Sequence, residues 1–214
     1  DDTLDELSAA GIPLLNSPPG TALQQATPAQ PGPEGQPPPD TLVDLPIPEP
    51  GPGQVRIRHE AIGINFIDTY FRKGLYPTRL PCVPGGEVAG VIDAVGDGVS
   101  SHAIGDPVVV SGAFGGYAEA SLAAAERVVR RPPGLDARTA AAVFLKGMTT
   151  EAFVARTYPV RAGQPVLVHA AAGGVGQIMV QWLKAIGAEV IATVGSPAKA
   201  DLVRQLGADH VILY

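Results

Sequence analysis

The sequence predicts an α/β protein in three parts: a disordered tail, a small β-barrel and the first part of a doubly wound parallel sheet. Hydrophobic residues make up 45% of the 214 residues and charged residues 17%, which is typical of a chain that buries a core. Near residue 135 the pattern changes from short strands between turns to alternating strands and helices. We therefore assign residues 1–40 to the tail, 41–134 to the barrel and 135–214 to the parallel sheet.

The predicted tail is acidic and rich in proline. Residues 1–40 contain six acidic residues, nine prolines and no lysine or arginine, and the first aromatic residue of the chain is Phe66. Such a segment cannot bury enough apolar surface to offset its ordering entropy, so we expect a disordered linker. The alternative is a polyproline ligand around residues 36–39 that binds a partner.

Charge and cysteine content exclude several classes of protein. Residues 41–214 carry as many basic as acidic residues, so nucleic acid is not expected as the main ligand. The single cysteine, Cys82, excludes a disulfide framework. No apolar run approaches the ~20 residues of a membrane helix, and Asp1-Asp2 lacks the basic start of a secretory signal. We expect no membrane partner and a cytoplasmic protein.

The predicted barrel consists of short apolar runs separated by glycine and proline turns. Residues 87–95 form a β-branched run that only Gly90 breaks, and residues 55–62 alternate in part between apolar and polar side chains. This pattern indicates a small barrel that is closed or nearly closed. The candidate strands are residues 55–62, 87–95, 108–110, 117–121 and 127–129.

From Asp136 onward helices and strands alternate, as in a parallel doubly wound sheet. Asp136 is a candidate N-cap for an alanine-rich helix, and a second helix is expected from Thr149. His169, at the end of the first strand, is expected to be buried and hydrogen-bonded. The remaining expected elements are strand 165–170, helix 174–186, strand 189–194, helix 197–206 and strand 210–213.

The turn after residue 170 carries the strongest chemical signal. Ala171, Gly173 and Gly176 match the pattern G-x-G-x-x-G with alanine in the first place, between a predicted strand and a predicted helix. Small residues let the backbone approach a diphosphate, and the start of the helix offers free N–H groups. The sequence therefore predicts a dinucleotide site. The alternative is a tight turn that serves packing alone.

The end of the next strand predicts which dinucleotide binds. An NAD site carries an acidic residue there, which holds the ribose hydroxyls. Residues 193–199 contain no acidic residue but include Ser196 and Lys199. Because an acid would repel the 2′-phosphate of NADP and a lysine attracts it, the sequence favours NADP over NAD.

Several motifs, taken together, resemble a known family. They are residues 61–72, Gly74-Leu75-Tyr76-Pro77, residues 84–90, Leu145-Lys146-Gly147-Met148-Thr149, and His169 to Gly176. In this order they are similar to the zeta-crystallin-like quinone oxidoreductases of the medium-chain dehydrogenase/reductase superfamily. The resemblance covers residues 41–214 and implies a GroES-like barrel followed by a Rossmann domain. It also implies hydride transfer from NADPH to a quinone in the cleft between them, and homodimers of full-length relatives.

The resemblance further implies which residues form the site. Asn65 and Tyr70 would contact the nicotinamide side of NADPH, and Tyr76 would line the quinone pocket; these three are the expected catalytic set. Thr149, at the start of a helix, would donate toward the nicotinamide amide or a phosphate. The expected cofactor-binding residues are Asn65, Tyr70, Thr149, Gly173, Gly174, Val175, Gly176, Gly195, Ser196, Lys199 and Tyr214.

No metal is expected in this site. Zinc relatives in the superfamily carry a cysteine and a histidine where this chain has Asn65 and Gly86, and neither of these residues is a usual zinc ligand. Cys82 lies nearby in sequence but alone, so we expect a core or surface thiol.

The chain departs from the family pattern at both ends. The proline-rich tail stands where the barrel should begin, and of the about six strands of a doubly wound sheet only two and part of a third are predicted. We therefore expect a truncated protein. Two alternatives to an active quinone reductase stay open: an inactive fragment or module that binds NADP or a partner, and an enoyl reductase-like member of the same superfamily.

Overall fold

The computed structural model describes residues 24–26, 41–79, 81–112 and 114–214. The chain divides into two compact units, residues 1–142 and 143–214, which we call the barrel unit and the Rossmann unit. The division lies within a helix, Ala137–Glu151, and beyond the boundary at residue 134 that the sequence pattern predicts.

Most of the predicted disordered tail lies outside the described residues. The exception is β1, Gln24–Ala26, which pairs antiparallel with β2, Thr41–Val43. For Gln24–Ala26 the expectation of disorder is therefore wrong. Pairing with a neighbouring strand satisfies the peptide groups of a short segment whatever its side chains, so composition alone does not exclude it.

The barrel unit is built on a five-stranded antiparallel sheet with the strand order β6-β3-β4-β5-β7. Its core consists of β-branched side chains on the inner face, with Ile57 and Ile92 fully buried and Val108 beside them. The elements are β3 Gln54–Gly63, α1 Phe66–Arg72, β4 Glu87–Val95, β5 Pro107–Ser111, β6 Ala120–Ala124, a 3₁₀ turn Ala125–Arg127 and β7 Val129–Arg130.

The strands predicted at residues 55–62, 87–95 and 108–110 are confirmed. The candidate at 117–121 is displaced, because the strand begins only at Ala120. The preceding loop pairs instead with the loop after residue 82: Tyr117 N–H donates to the Pro84 carbonyl at 2.9 Å, and Gly116 N–H donates to that of Gly85 at 2.9 Å. The candidate at 127–129 is displaced, because Arg127 ends the 3₁₀ turn and the strand β7 begins only at Val129.

The Rossmann unit contains a parallel sheet with the strand order β10-β9-β8. Leu183 of its first crossover helix packs with Val190 of the central strand and Val203 of the second crossover helix, and all three are fully buried. The helix α2, Ala137–Glu151, begins in the barrel unit and ends in the Rossmann unit. The elements that follow it are a π-helical turn Ala152–Thr157, β8 Pro165–Val168, α3 Gly174–Ile186, β9 Glu189–Val194, α4 Pro197–Gln205 and β10 His210–Leu213.

Helix α2 begins as predicted but runs further. Asp136 caps it, because its Oδ1 accepts the Thr139 N–H at 2.9 Å and its Oδ2 accepts the Thr139 hydroxyl at 2.7 Å. These bonds hold the pKa of Asp136 below its ordinary value. The helical stretch expected from Thr149 to residue 157 is present, but it continues α2 into the π-helical turn and is not a separate helix. The only candidate break is Gly147, and one glycine inside a helix costs about 1 kcal/mol, which does not end it.

The strands and helices from Pro165 onward agree with the sequence prediction more closely than α2 does. Helix α3 and the strands β9 and β10 have the predicted bounds, β8 ends two residues early at Val168, and α4 ends at Gln205. Within the described ranges, no helix combines the length and the apolar character that crossing a membrane requires.

Candidate functional site

At the carboxyl end of β8 the chain makes a tight turn into α3. Gly173 N–H donates to the Ala170 carbonyl at 2.8 Å, and Ala171 N–H donates to the carbonyl of Thr193 in β9 at 3.0 Å. Ala170 has a φ of +49°, which a small side chain tolerates best. The turn is thus held against the edge of the sheet, while Gly173 and Gly174 stay exposed.

Gly176 marks the closest approach between this turn and α3. A Cβ there would lie 2.6 Å from the carbonyl oxygens of both Ala170 and Ala171, and backbone atoms cannot move aside. The missing side chain lets the first turn of α3 pack on the strand end. N–H groups in the first turn of a helix have no intrahelical partners. Because no acidic residue lies in this first turn, its N–H groups can bind an anion.

Four predicted residues lie together at the carboxyl ends of β9 and β10. Ser196 is the N-cap of α4, and its Oγ accepts the Lys199 N–H at 3.4 Å. The exposed ring of Tyr214 lies over Gly195, where a Cβ would be 3.5 Å from Cε2 of the tyrosine. The structure thus groups a hydroxyl, a lysine and an aromatic ring at an edge without an acidic residue.

Thr193 connects this group with the glycine turn. Its carbonyl accepts the Ala171 N–H, and its hydroxyl oxygen lies 2.9 Å from Nδ1 of His169. His169 is therefore hydrogen-bonded as predicted, but the prediction that it is buried is wrong. The strand ends at Val168, so His169 already stands at the open edge of the sheet.

Thr149 lies near the end of α2, not at the start of a helix. Its hydroxyl donates to the Leu145 carbonyl one turn earlier, at 2.8 Å. This bond uses the hydroxyl proton that Thr149 was expected to donate to the nicotinamide amide or a phosphate. Thr149 can offer a ligand only its oxygen lone pairs while the bond persists.

Asn65 belongs to a buried polar network in the barrel unit. It is the N-cap of α1, its side-chain Nδ2–H donates to Glu87 Oε2 at 2.8 Å, and its backbone N–H donates to Asp68 Oδ2 at 3.0 Å. The Tyr117 hydroxyl donates to the same Asp68 oxygen at 2.8 Å. All four residues are less than one-tenth exposed, so the network fixes the orientation of the Asn65 amide.

Tyr70 and Tyr76 form part of a row of aromatic rings. Gly74, with a φ of +72°, turns the chain after α1 so that the Tyr76 N–H meets the Tyr70 carbonyl at 3.3 Å. Tyr76 lies edge-on to Tyr70 and Phe71, with ring centroids 5.4 and 5.5 Å apart, and Phe71 meets Phe114 at 4.8 Å. Because Tyr76 is 42% exposed, the row presents an aromatic surface to solvent.

His59 is a half-buried side chain of the barrel sheet. Its Nδ1 lies 2.6 Å from the Ala118 carbonyl, so this nitrogen carries the proton, and its Nε2 accepts from the Ser121 hydroxyl at 2.8 Å. Burial lowers the pKa of His59 from 6.5 to about 4, against the carbonyl contacts, which raise it. The ring is therefore neutral at physiological pH and serves the fold.

Comparisons with known proteins agree with this architecture. Residues 51–157 match the alcohol dehydrogenase GroES-like domain, and residues 174–214 match a family described as zinc-binding dehydrogenase. The quinone oxidoreductase of Pseudomonas aeruginosa is 51% identical over 168 residues, which are 78% of this chain and 52% of that protein. The chain therefore belongs to the alcohol dehydrogenase GroES-like family.

Two further proteins to which this chain is similar are a reductase and a quinone oxidoreductase. The 2-haloacrylate reductase of a Burkholderia species is 42% identical over 185 residues, covering 82% of this chain and 56% of that protein. The crystal structure of Escherichia coli quinone oxidoreductase complexed with NADPH superposes with a TM-score of 0.83 at 37% identity, covering 91% of this chain and 59% of that one. The chain spans about half the length of the curated relatives it matches.

The expected absence of a metal concerns the barrel unit. Among the described residues, no group of three or more histidine, cysteine, aspartate or glutamate side chains is arranged to hold a metal ion. Cys82 is half-buried, and burial raises the pKa of its thiol, which disfavours the thiolate that binds metals. The expected absence of zinc stays a prediction.

Four residues that were not predicted from the sequence contact residues of the predicted site or its surroundings: Glu87, Tyr117, Phe71 and Phe114. Glu87 carried a signal, because a charged residue that opens a mostly apolar strand needs a partner where it is buried. The other three carried none: Tyr117 and Phe114 lie in a loop far along the chain from Asp68 and Phe71, and only the folded barrel brings them into contact.

Proposed function

We propose that this protein is an NADPH-dependent quinone oxidoreductase that works without zinc. One observation supports the proposal above all others. At the edge of the Rossmann sheet, the glycine turn lies beside the group formed by Ser196, Lys199 and Tyr214. As the family resemblance implies, we propose that the reaction takes place in the cleft between the barrel and Rossmann domains.

The residues at this edge fit a dinucleotide. Gly173 and Gly174 are exposed and leave the backbone open to a diphosphate, and the first turn of α3 offers N–H groups to it together with Val175 and Gly176. Tyr214, which lies over Gly195, presents a ring on which an adenosine can stack. The NADPH complex of the Escherichia coli relative supports this assignment.

Lys199 and Ser196 would distinguish NADPH from NADH. They lie in the first turn of α4 and at its N-cap, where the helix dipole also favours an anion. Residues 193–199 include no acidic residue that would repel the 2′-phosphate or bind the ribose hydroxyls of NAD. The combination favours the phosphorylated cofactor.

When bound, the reduced nicotinamide supplies a hydride, which a quinone takes up together with one proton to form a hydroquinone. The oxygen of the reduced quinone is a weakly basic phenolate, so a proton from solvent is sufficient and no strong acid is required in the protein. The protein therefore contributes binding and orientation. This division of labour requires no zinc, and Asn65 and Gly86 offer none of its usual ligands.

The barrel unit offers residues that can contact the nicotinamide ring and the quinone ring. Glu87 holds the Asn65 amide in one orientation, ready to contact the nicotinamide side of the cofactor. The aromatic row that contains Tyr70 and Tyr76 provides a flat apolar surface, and aromatic contacts of this kind contribute about 0.5–1.5 kcal/mol each. We propose that Tyr76 lines the quinone pocket.

The test is a titration followed by an assay. NADPH and NADH are titrated into the full chain by cofactor fluorescence, and oxidation of NADPH is then followed with a simple quinone. We expect tighter binding of NADPH than of NADH, and turnover that a zinc chelator leaves unchanged. Binding without turnover would support the alternative of a cofactor-binding module, and absence of binding would exclude the reductase for this chain.

Substitution of Tyr76 tests whether this residue lines the quinone pocket. Tyr76→Ala removes the exposed ring, so we expect the KM for the quinone to rise on the order of tenfold while the Kd for NADPH stays within about twofold. Steady-state kinetics and the fluorescence titration measure both quantities. Tyr158→Ala is the matched control, since Tyr158 is also exposed but belongs to the Rossmann unit. An unchanged KM in Tyr76→Ala would exclude Tyr76 from the pocket.

A second candidate function is the reduction of an electron-poor alkene. The similarity to the 2-haloacrylate reductase of Burkholderia favours it, and an enoyl reductase-like protein belongs to the same superfamily. An activated alkene and a quinone each accept a hydride at carbon or oxygen of a conjugated system. Turnover of 2-haloacrylate or an enoyl thioester, without turnover of quinones, would replace the first proposal by this one.

A further inference from the structure

An open groove of the barrel unit lies beside β6, the strand at one end of the order β6-β3-β4-β5-β7. The segment from Leu45 to Pro48 lines it together with β6 and the loop that precedes β6. We call it the β6 groove. Its volume of about 330 Å³ lies in the range of small-molecule sites.

Two prolines fix the segment that borders the β6 groove. Pro46 and Pro48 lock their own φ angles, and the residue before each proline is restricted to extended backbone. Arg56 holds the end of the segment, because its Nη1 donates to the Pro48 carbonyl at 3.3 Å. Leu45 lines the groove, whereas Ile47, which is 61% exposed, does not. The segment therefore keeps one border of the groove in place.

The lining of the β6 groove is uncharged and mostly apolar. None of the described residues that line it is acidic or basic. Small side chains such as Ala118 and Ala120 leave space between the larger ones. The hydroxyl of Ser121 belongs to the lining, but it donates to Nε2 of His59 at 2.8 Å. The groove therefore suits an uncharged, apolar chain, which needs no hydrogen-bond partner when it leaves water.

Phe114 connects the β6 groove with the aromatic row. It lines the groove and is 48% exposed. Its ring centroid lies 4.8 Å from that of Phe71, which in turn lies 5.5 Å from that of Tyr76. The proposed quinone contact at Tyr76 and the groove therefore belong to one continuous apolar surface. A quinone ring beside Tyr76 would cover only the first part of this surface.

We propose that the β6 groove binds an apolar side chain of the quinone, so that the substrates are quinones that carry such a chain, as isoprenoid quinones do. The inference rests on the proposed function and extends it, because Tyr76 was assigned to the quinone ring alone. The chain would leave the ring at Tyr76 and pass over Phe71 and Phe114. Its end would lie in the groove beside Leu45 and Leu122. Burial of its methylene groups there supplies affinity that a quinone without a side chain cannot gain.

The experiment compares decylubiquinone with the same quinone ring lacking a side chain. The Kd of each is measured on the full chain by ultrafiltration, from the absorbance of the free quinone. We expect decylubiquinone to bind more tightly by on the order of tenfold. Leu45→Asp places a charge in the groove that an apolar chain would desolvate without compensation, so this advantage should fall to about twofold or less.

Ile47→Asp is the matched control for Leu45→Asp. It adds the same charge in the same segment, at an exposed side chain that does not line the groove, so the advantage of decylubiquinone should persist. Sedimentation of both variants and of the wild-type chain reports the oligomeric state. Circular dichroism checks that the fold is retained, and Leu45→Ser with Ile47→Ser replaces the pair if aspartate disturbs it.

Four outcomes would overturn the inference. Three concern binding: equal affinity of the wild-type chain for the two quinones, an unchanged advantage of decylubiquinone in Leu45→Asp, and an equal loss in Ile47→Asp. The fourth is a change of oligomeric state confined to Leu45→Asp, which would assign the groove to a second copy of the chain. If NADPH reduces neither quinone, the proposed function itself fails, whatever the ratio of the two Kd values, so the two failures are distinguishable.

Discussion

The half-buried ring of His59 is expected to make folding depend on pH. In the unfolded chain an imidazole titrates near its ordinary pKa of 6.5, whereas burial lowers the pKa of folded His59 to about 4. Between these values the unfolded chain binds a proton that the folded chain does not. The stability that the neutral ring contributes is therefore complete above pH 6.5 and is lost as the pH falls toward 4.

We expect the free energy of unfolding to decrease by on the order of 3 kcal/mol over this pH interval because of His59. Urea unfolding at a series of pH values from 8 to 4 measures the decrease. In His59→Asn, which keeps an amide N–H near the Ala118 carbonyl, the stability at pH 8 should be lower and the decrease on acidification smaller. His210→Asn, at an exposed histidine, is the control. An unchanged acid slope in His59→Asn would contradict the assignment.

We expect the single charge of Lys199 to decide between NADPH and NADH. Lys199→Met should raise the Kd for NADPH by on the order of 10-fold to 100-fold, because a hydrogen bond between charged groups contributes about 1.5–3 kcal/mol. The Kd for NADH should stay nearly unchanged, since NADH has no 2′-phosphate. Fluorescence titration measures both constants, with Lys73→Met, an exposed lysine of the barrel unit, as the control. Equal weakening of both cofactors would contradict the phosphate contact.

Among the elements, the turn between β8 and α3 depends most on a single residue. Gly176→Ala places a methyl group 2.6 Å from two backbone carbonyl oxygens that cannot yield, so we expect a loss of stability of about 1–3 kcal/mol. The binding of NADPH should weaken as well, because α3 must move away from the strand end. Thermal unfolding and the cofactor titration test both effects.

Gly147→Ala is the matched control for this element. Gly147 also lies in a helix, but a Cβ there would meet nothing within 4 Å, so the same substitution should stabilise α2 by about 0.5–1 kcal/mol. Equal effects of the two substitutions would show that helix propensity, and not the close approach at Gly176, governs this turn.

The elements differ in how well the sequence predicts them. Continuous β-branched runs such as residues 189–194 and the amphipathic helix at 174–186 are confirmed at both ends, because their patterns extend over the whole element. The strand predicted at 117–121 is wrong in position, since loop pairing with Pro84 and Gly85 competes for the same peptide groups. Strand β1 was not predicted, because three residues without an apolar pattern give no local signal.

At the scale of the whole molecule, each unit has a hydrophobic core of its own. We propose that the two units are separate domains, and Trp182, the one tryptophan of the sequence, reports on the Rossmann unit. Leu183→Ala and Ile92→Ala each remove a fully buried side chain and should lower the free energy of unfolding of their own unit by about 2–5 kcal/mol.

The two variants should therefore shift different transitions in urea. Leu183→Ala should lower the midpoint that Trp182 fluorescence follows, and Ile92→Ala should lower the midpoint of the far-ultraviolet circular dichroism of the barrel strands. Observation that each substitution shifts both midpoints equally would mean that the chain unfolds as one cooperative unit and would contradict the division into domains.

The amino-acid sequence by itself determined the order of strands and helices, the glycine turn, the missing acid after β9 and the family to which the chain belongs. These features depend on neighbouring residues, whose spacing and chemistry can be read locally. Only the tertiary structure decided which distant residues meet: Glu87 with Asn65, Phe114 with Phe71, and Lys146 with Gly174. Such contacts depend on how separate elements pack against each other, and no local pattern of side chains specifies that packing.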